Sequence, residues 1–364
     1  MYTKTKNVGK AKIDKTLFWT VVLLCIAGIL AVSNASAPQA LAVFGDPYFF
    51  AKQQISWSIV GFAGLIVASS INYTIWKKAA FLLGGVSLFL LVAVLVPGLG
   101  VKVLGARRWI SLGPASFQPS EFAKFGVAVV VARMLDDGYP RRYIIIFIGI
   151  VSALVMLQPD LGTTIVIAGM GIAQLFIAGI PLLNLVSIVS AGALITGFLI
   201  LISDYRRARL VSFLESASDP LQNSYHMRQI LIALGSGGIF GVGIGQSRQK
   251  HLFLPETASD SIFAVIAEET GLVGSVVIIS LLTFFVLRVL KIARRAPDNF
   301  SKILGSAIGF WFMGQTFLNL ASIAAITPLT GIPLPFFSYG GTSLVMILFA
   351  TGIILNISKA CDHV

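Results

Sequence analysis

The chain has 364 residues, 56% of them hydrophobic and 12% charged, with a formal net charge of +12 and a mean hydropathy of +0.89. A soluble domain carries about 25% charged residues, so this composition leaves too little polar surface to coat a water-exposed globule. The basic excess is dispersed between apolar runs and forms no basic domain, which excludes a nucleic-acid binder.

In chain order, residues 1–16 form a basic tail with Lys4, Lys6, Lys10, Lys12 and Lys15. The apolar run from Leu17 to Val32 is long for the core of a signal peptide, and many further runs follow it, so it reads as an uncleaved first helix. Hydropathy places spans at 17–35, 55–71, 79–96, 120–135, 143–158, 161–180, 184–202, 262–287, 302–326 and 341–358. Each lies near the ~20 residues a helix needs to cross a bilayer. Lipid offers no partner to an open backbone group, so each run is expected to be a continuous helix. The expected fold is an all-α polytopic membrane protein of about ten transmembrane helices in a single domain, 17–358. One large extracytoplasmic loop covers about 203–261, and 359–364 form a short tail.

Loop charge sets the orientation. With the N-terminus in the cytoplasm, most of the 27 Lys and Arg residues fall inside, including Lys77, Lys78, Arg141, Arg142, Arg288 and Lys359. Lys52, Lys102, Arg107, Arg108, Lys124, Arg206, Arg207, Arg209, Arg228, Arg248 and Lys250 fall outside. A long translocated loop tolerates such residues, which covers those in 203–261. Lys102, Arg107 and Arg108 sit in a short loop, where an anionic ligand such as a diphosphate is a second explanation.

Several acids sit at predicted span ends. Glu121 and Lys124 are three apart and share a helix face, as a self-neutralising pair or as functional groups. Asp160, after Gln158–Pro159, and Asp260, before Ile262, both suit a helix N-cap. Glu268–Glu269 lie inside the eighth span. Cys25 and Cys361 have no evident partner, and His226, His251 and His363 are scattered, so neither a disulfide framework nor a metal cluster is indicated. The stretch from Gly235 to Gly245 looks like a phosphate-cradling glycine loop. No strand precedes it and no Gly-Lys-Ser/Thr follows, so it reads as a flexible outer loop or as close backbone packing. Ser338–Tyr339–Gly340–Gly341–Thr342–Ser343 likewise lacks the setting of a nucleophile elbow.

A set of motifs in fixed order gives these features a frame. Gly105–Ala106–Arg107–Arg108–Trp109–Ile110, the stretch from Ser116 to Lys124, and Gln158–Pro159–Asp160–Leu161–Gly162–Thr163 come first. Ile232–Ala233–Leu234–Gly235–Ser236–Gly237–Gly238, Ser247–Arg248–Gln249–Lys250, Leu254–Pro255–Glu256 leading into Asp260, and the stretch from Pro333 to Gly341 follow. Together they resemble the SEDS family (the FtsW, RodA and SpoVE group) from about residue 17 to 358. Ser247–Lys250, and Phe213–Leu214 leading to Asp219–Pro220, look more like the FtsW branch than the RodA branch.

The resemblance implies a ten-helix glycosyltransferase of bacterial cell-wall synthesis that polymerises lipid II at the outer face of the cytoplasmic membrane, for cell division or elongation. It implies a class B penicillin-binding protein as partner, membrane lipids around the helices, cytoplasmic termini and a place at the division septum. It marks Asp260 as the essential acid, Glu121, Lys124 and Asp160 as cavity residues, and Arg107 with Arg108 as a basic loop. Arg108, Arg107, Lys124, Arg248 and Lys250 are the candidates for the leaving diphosphate. No cofactor is evident, and a divalent cation is a candidate. The chain departs from the family's pattern at Ala258, Ser259 and Ser261, where His-Thr before the acid and Phe after it are common, and at Gln53, where an Arg is expected. A lipid II flippase and a non-catalytic scaffold are the alternative readings.

Overall fold

A computed structural model describes residues 13–103, 106–113, 115–202, 207 and 225–361. Arg206, Arg209, His363 and the 213–220 motif lie outside the described residues, as do most of the N-terminal lysines and most of 203–224. The described chain folds into eleven helices and one small sheet. Seven helices come first: α1 (Lys15–Phe44), α2 (Phe49–Ser70), α3 (Thr74–Ala93), α4 (Pro119–Asp136), α5 (Arg141–Leu157), α6 (Leu161–Ile177) and α7 (Leu182–Ile202). Then come α8 (Tyr225–Gly237), α9 (Ile262–Arg294), α10 (Asn299–Ile323) and α11 (Gly341–Ala360). Ten of them match the expected spans, and five are long and apolar enough to cross a membrane by length and composition alone. The protein is a multi-pass membrane protein.

Burial sorts the helices. On α4 nearly every residue from Pro119 to Met134 is buried, as it must be for a small-residue helix (Ala123, Gly126, Ala128, Ala132) enclosed by its neighbours. Gly126 faces the Ser87 side chain of α3 too closely for any Cβ, so a glycine there lets the two helices approach with the Ser87 hydroxyl against the α4 backbone. On α1 the side chains Trp19, Leu23, Ile26 and Leu30 are instead exposed, as a lipid-facing stripe requires. α2 packs along α11, where Gly352 lies against the Leu65 carbonyl.

One end of the bundle is tied by polar contacts. Asp14 caps α1 by accepting from Leu17 N at 2.8 Å and pairs with Arg288 at 2.7 Å. Lys77 pairs with Asp137 at 2.8 Å, and Tyr73 donates to Asp298 at 2.6 Å. These contacts join the start of α1 and α3 to the end of α4 and α9 and the start of α10, so the helices alternate in direction. Asp137 gains hydrogen bonds and charge from Lys77 and Arg133, which hold its carboxyl below the usual range.

Four features differ from the sequence reading. α1 runs to Gly45, which closes it in the left-handed region at φ 69°, although its apolar run ends near Val32. Hydropathy marks lipid contact, whereas the helix continues because nothing before Gly45 ends it. The short loop after α3 contains an antiparallel sheet of order β1 (Gly100–Val103), β2 (Ala106–Leu112) and β3 (Ala115–Phe117). The large loop contains α8. The apolar run of α9 is also not one continuous helix: it breaks at Gly271, with φ 64° and ψ −162°.

The glycine-rich stretch explains how that break is tolerated. Carbonyls released at the break accept from the loop, Glu268 O from Val242 N at 3.0 Å and Glu269 O from Gly243 N at 3.0 Å. Beyond the break, Leu272 N and Val273 N donate to the carbonyls of Gly238 and Ile239, at 2.9 and 3.1 Å. A Cβ on Gly241 would overlap the Glu269 carbonyl, and one on Gly271 would overlap Gly241 N. The glycines thus serve close backbone approach, the second of the two readings above, and they satisfy groups that lipid would leave bare.

Candidate functional site

The end of the bundle opposite the polar ties gathers the sequence-marked residues. Pro119 starts α4 at its first turn, where a missing N–H costs nothing. That start sets Glu121 and Lys124 on the inner face, both 1% exposed and paired at 2.8 Å. Lys124 Nζ also donates to Gln315 Oε1 of α10 at 2.9 Å and lies 5.0 Å over the Trp311 ring. Gln315 accepts from Trp311 Nε1 at 2.9 Å and donates to Pro333 O at 3.0 Å and Ser343 Oγ at 3.2 Å. Four elements therefore meet at one amide. Glu121 Oε2 is buried with no hydrogen-bond partner among the described residues.

Asp260 is not the helix cap. Ser261 occupies that place without a capping bond from its side chain, and its hydroxyl lies 2.7 Å from His226 Nε2 of α8. Asn319, one turn beyond Gln315, donates to Asp260 O at 3.2 Å and Ile332 O at 2.8 Å. Ser338 Oγ donates to Ser259 O at 2.7 Å, and Tyr339 N donates to Ala258 O at 2.7 Å. The backbone around Asp260 is thus pinned by the α10–α11 connection, and a Cβ at Gly331 would sit 3.3 Å from Asp260 Oδ2. Asp260 is partly exposed, whereas Glu121, Asp160, Glu268 and Glu269 are all 5% exposed or less.

Asp160 does cap α6, accepting from Thr163 N at 3.0 Å and Thr163 Oγ1 at 2.8 Å. Arg107 and Arg108 are consecutive on β2, but the ladder to β1 shifts register there: Trp109 lies opposite Val101 and Arg107 opposite Lys102, which leaves Arg108 as the extra residue of a β-bulge. Arg108 Nε donates to Gln158 O at 2.9 Å, and its terminal nitrogen donates to Pro159 O, which fixes the turn before Asp160. Arg107 pairs across the sheet with Lys102. Like charges directly opposite are unfavourable, which an anion on that face would relieve.

The Ser247–Lys250 motif divides in the same way. Lys250 Nζ pairs with Glu269 Oε1 at 2.8 Å and is 5% exposed, while the Arg248 side chain is exposed. Among the described residues neither Arg107 nor Arg248 forms an ion pair. No three His, Cys, Asp or Glu side chains gather among the described residues.

The structure therefore brings Asp260, Glu121, Lys124, Asp160 and Arg108 to one end, and adds Gln315, Trp311, Asn319, His226 and Ser338. Gln315 and Asn319 lie four apart in an apolar helix, which is the signal that could have marked them. Gln53, at the departure from the family's pattern, accepts from the Tyr339 hydroxyl, so it braces the same connection.

Residues 15–363 match the model of a family described as "Cell cycle protein", FtsW/RodA/SpoVE. Stage V sporulation protein E of Bacillus subtilis (strain 168) is 37% identical over 360 residues, covering 96% of this chain and 98% of that protein. The probable peptidoglycan glycosyltransferase FtsW of Trichlorobacter lovleyi is 38% identical over 357 residues, covering 96% and 93%. A solved structure described as "Structural coordination of polymerization and crosslinking by a peptidoglycan synthase complex" superposes with a TM-score of 0.79 at 27% identity, covering 96% of this chain and 98% of that one. The relatives named FtsW accord with the branch that the motifs resemble. The chain belongs to the FtsW/RodA/SpoVE family of cell cycle proteins.

Proposed function

We propose that this chain is a peptidoglycan glycosyltransferase that polymerises lipid II into glycan strands, with Asp260 as general base. The observation that carries the assignment of the base is exposure: Glu121, Asp160, Glu268 and Glu269 are buried, while Asp260 is partly exposed on a backbone pinned by Asn319, Ser338 and Tyr339.

Asp260 takes the proton from the acceptor sugar's 4-hydroxyl. That oxygen attacks the anomeric carbon of the lipid-linked donor from the face opposite the diphosphate, so the new C–O bond forms as the C–O bond to phosphate breaks, with inversion. General base catalysis supplies about 10²–10⁴-fold, and the remainder comes from holding the reactants and from positive charge at the leaving diphosphate. Arg107, opposite Lys102 on the sheet, and the exposed Arg248 fit that last role. Lys124 and Arg108 act through the residues they hold, the first through Glu121 and Gln315 and the second through the turn before Asp160.

In this reading the Asp260 end is the extracytoplasmic face, both termini are cytoplasmic, and the protein works at the septum of a dividing bacterium. Its partner is a class B penicillin-binding protein that cross-links the strands; the similarity to a structure described as a synthase complex supports this.

The broken α9 favours a second reading, since transporters bind substrate at discontinuous helices. Here, however, the released carbonyls are capped by the glycine-rich loop and both glutamates are buried, which leaves no open ion site at the break. Purified protein in liposomes with fluorescent lipid II, with and without the partner, separates the two. Glycan strands are expected, and translocation of lipid II without any polymer would show a flippase.

A further inference from the structure

Apart from the exposed Arg248 side chain, residues Ser247–Lys250 and Glu268–Glu269 form a second polar centre that the proposed chemistry does not use. Glu268 Oε1 accepts from Arg248 N at 3.1 Å, and its Oε2 accepts from Ser247 Oγ and from Gln249 N at 3.4 Å. Three donors of one turn thus converge on one carboxylate, as in a backbone nest holding an anion. Glu269 Oε1 takes Lys250 Nζ at 2.8 Å, and its Oε2 accepts from the amide nitrogen of Asn34 on α1. The Asn34 amide oxygen in turn accepts from Lys250 Nζ at 2.9 Å. Asn34, Lys250 and Glu269 therefore close a triangle in which every polar atom has a complementary partner. Glu268, Glu269, Ser247 and Lys250 are each 5% exposed or less.

The position of this centre gives it a consequence. The break at Gly271 makes residues 262–270 a separate half-helix. Asp260 stands just before its start, and the two glutamates stand at its end. There they meet the negative pole of the helix dipole, an unfavourable place for carboxylates that only dedicated donors make stable. Lys250 and Glu269 are nineteen positions apart, so their contact staples the segment carrying Asp260 into a short closed loop. Closing a loop removes conformations from the chain within it. The same contact fixes the rotation of the half-helix, in which each residue turns by about 100° and rises about 1.5 Å.

We propose that Lys250, Glu269, Glu268 and Asn34 are positioning residues that hold the Asp260 half-helix at its catalytic height and rotation, and that Lys250 is not a ligand of the diphosphate. This inference rests on Asp260 being the base. The Asn34 amide makes it testable, because an amide that flips serves the reversed ion pair equally well.

The experiment compares lipid II polymerisation kinetics in liposomes for wild type, Lys250→Glu, Glu269→Lys, the double swap Lys250→Glu/Glu269→Lys, Ser247→Ala and Asp260→Asn, with thermal unfolding of each. Each charge reversal is expected to lower kcat by on the order of 100-fold, the scale of a misplacement of about 1 Å, while KM moves by less than about threefold, the mark of a transition-state effect. The double swap restores kcat to within about tenfold of wild type, and folded Ser247→Ala loses about tenfold in kcat at unchanged KM. A raised KM with intact kcat that the swap does not restore would make Lys250 a substrate ligand and overturn the proposal. So would activity losses that only track the unfolded fraction, or a folded Ser247→Ala with wild-type kcat when the swap also fails to restore activity. Full activity in Asp260→Asn would instead sink the assignment of the base, whereas an inactive Asp260→Asn beside an unrestored swap sinks the positioning role alone.

Discussion

Lys124 sits where a cation is hardest to keep, buried at 1% exposure beside a glutamate with one orphaned oxygen. Removing one member of a buried pair leaves the other uncompensated, at a cost of about 3–5 kcal/mol. Lys124→Met is therefore expected to destabilise strongly in thermal unfolding, and Glu121→Gln/Lys124→Met to recover most of that loss. Equal destabilisation of the single and double variants would contradict the pairing. The Glu121–Lys124 spacing was legible in the sequence, and so was the basic loop. Its internal division was not. Arg107 and Arg108 are neighbours in the chain, and the bulge that pairs Arg107 with Lys102 and leaves Arg108 free of the ladder to reach the Gln158–Pro159 turn is not written in the local pattern. Asp160 and Asp260 presented the same ambiguity, and the structure resolves them differently: one caps a helix, and the other yields the cap to Ser261.

At the scale of elements, each lipid-length apolar run announced its helix, because hydropathy and length are what a bilayer selects. The break in α9 left no such mark, since a glycine inside an apolar run looks the same whether the helix continues through it or not. Its partner strand of backbone, Gly238–Gly243, had the look of a phosphate loop and turned out to supply donors and acceptors to the break. Gly271→Ala is accordingly expected to cost about 1–3 kcal/mol, the range for a side-chain-bearing residue held in a disfavoured backbone region. A shifted thermal midpoint with the helical circular dichroism retained is the measurement, and an unchanged midpoint would contradict the break. At the opposite end, Asp137 has its pKa lowered by Lys77 and Arg133. Stability from this pair is present above the ordinary aspartate pKa of about 3.9 and is lost as pH falls through the lower folded value. Asp137→Asn should lose up to about 1 kcal/mol at pH 7, as partly exposed pairs do, and converge with wild type on acidification.

Over the whole molecule, alternating helices separate a polar-tied end from an end bearing carboxylate, cations and sheet. The bias of Lys and Arg anticipated that division, and six of the described basic residues that violated it fall into two groups in the structure. Lys102 and Arg107 remain on the sheet and Arg248 is exposed, while Arg108, Lys124 and Lys250 are absorbed into the scaffold. A membrane-impermeant maleimide should label Lys102→Cys in intact cells lacking Cys25 and Cys361, and should label Lys291→Cys only after lysis. The reverse pattern would invert the topology. What the sequence could not show was reach: Asn34 meets Lys250 across 216 positions, and no local pattern encodes such a contact. The proposed chemistry turns on one carboxylate. Lipid II polymerisation in liposomes by Asp260→Asn, at wild-type folding and with the partner present, should fall by at least about 10²-fold, the lower bound for losing a general base. Polymerisation at the wild-type rate would contradict it.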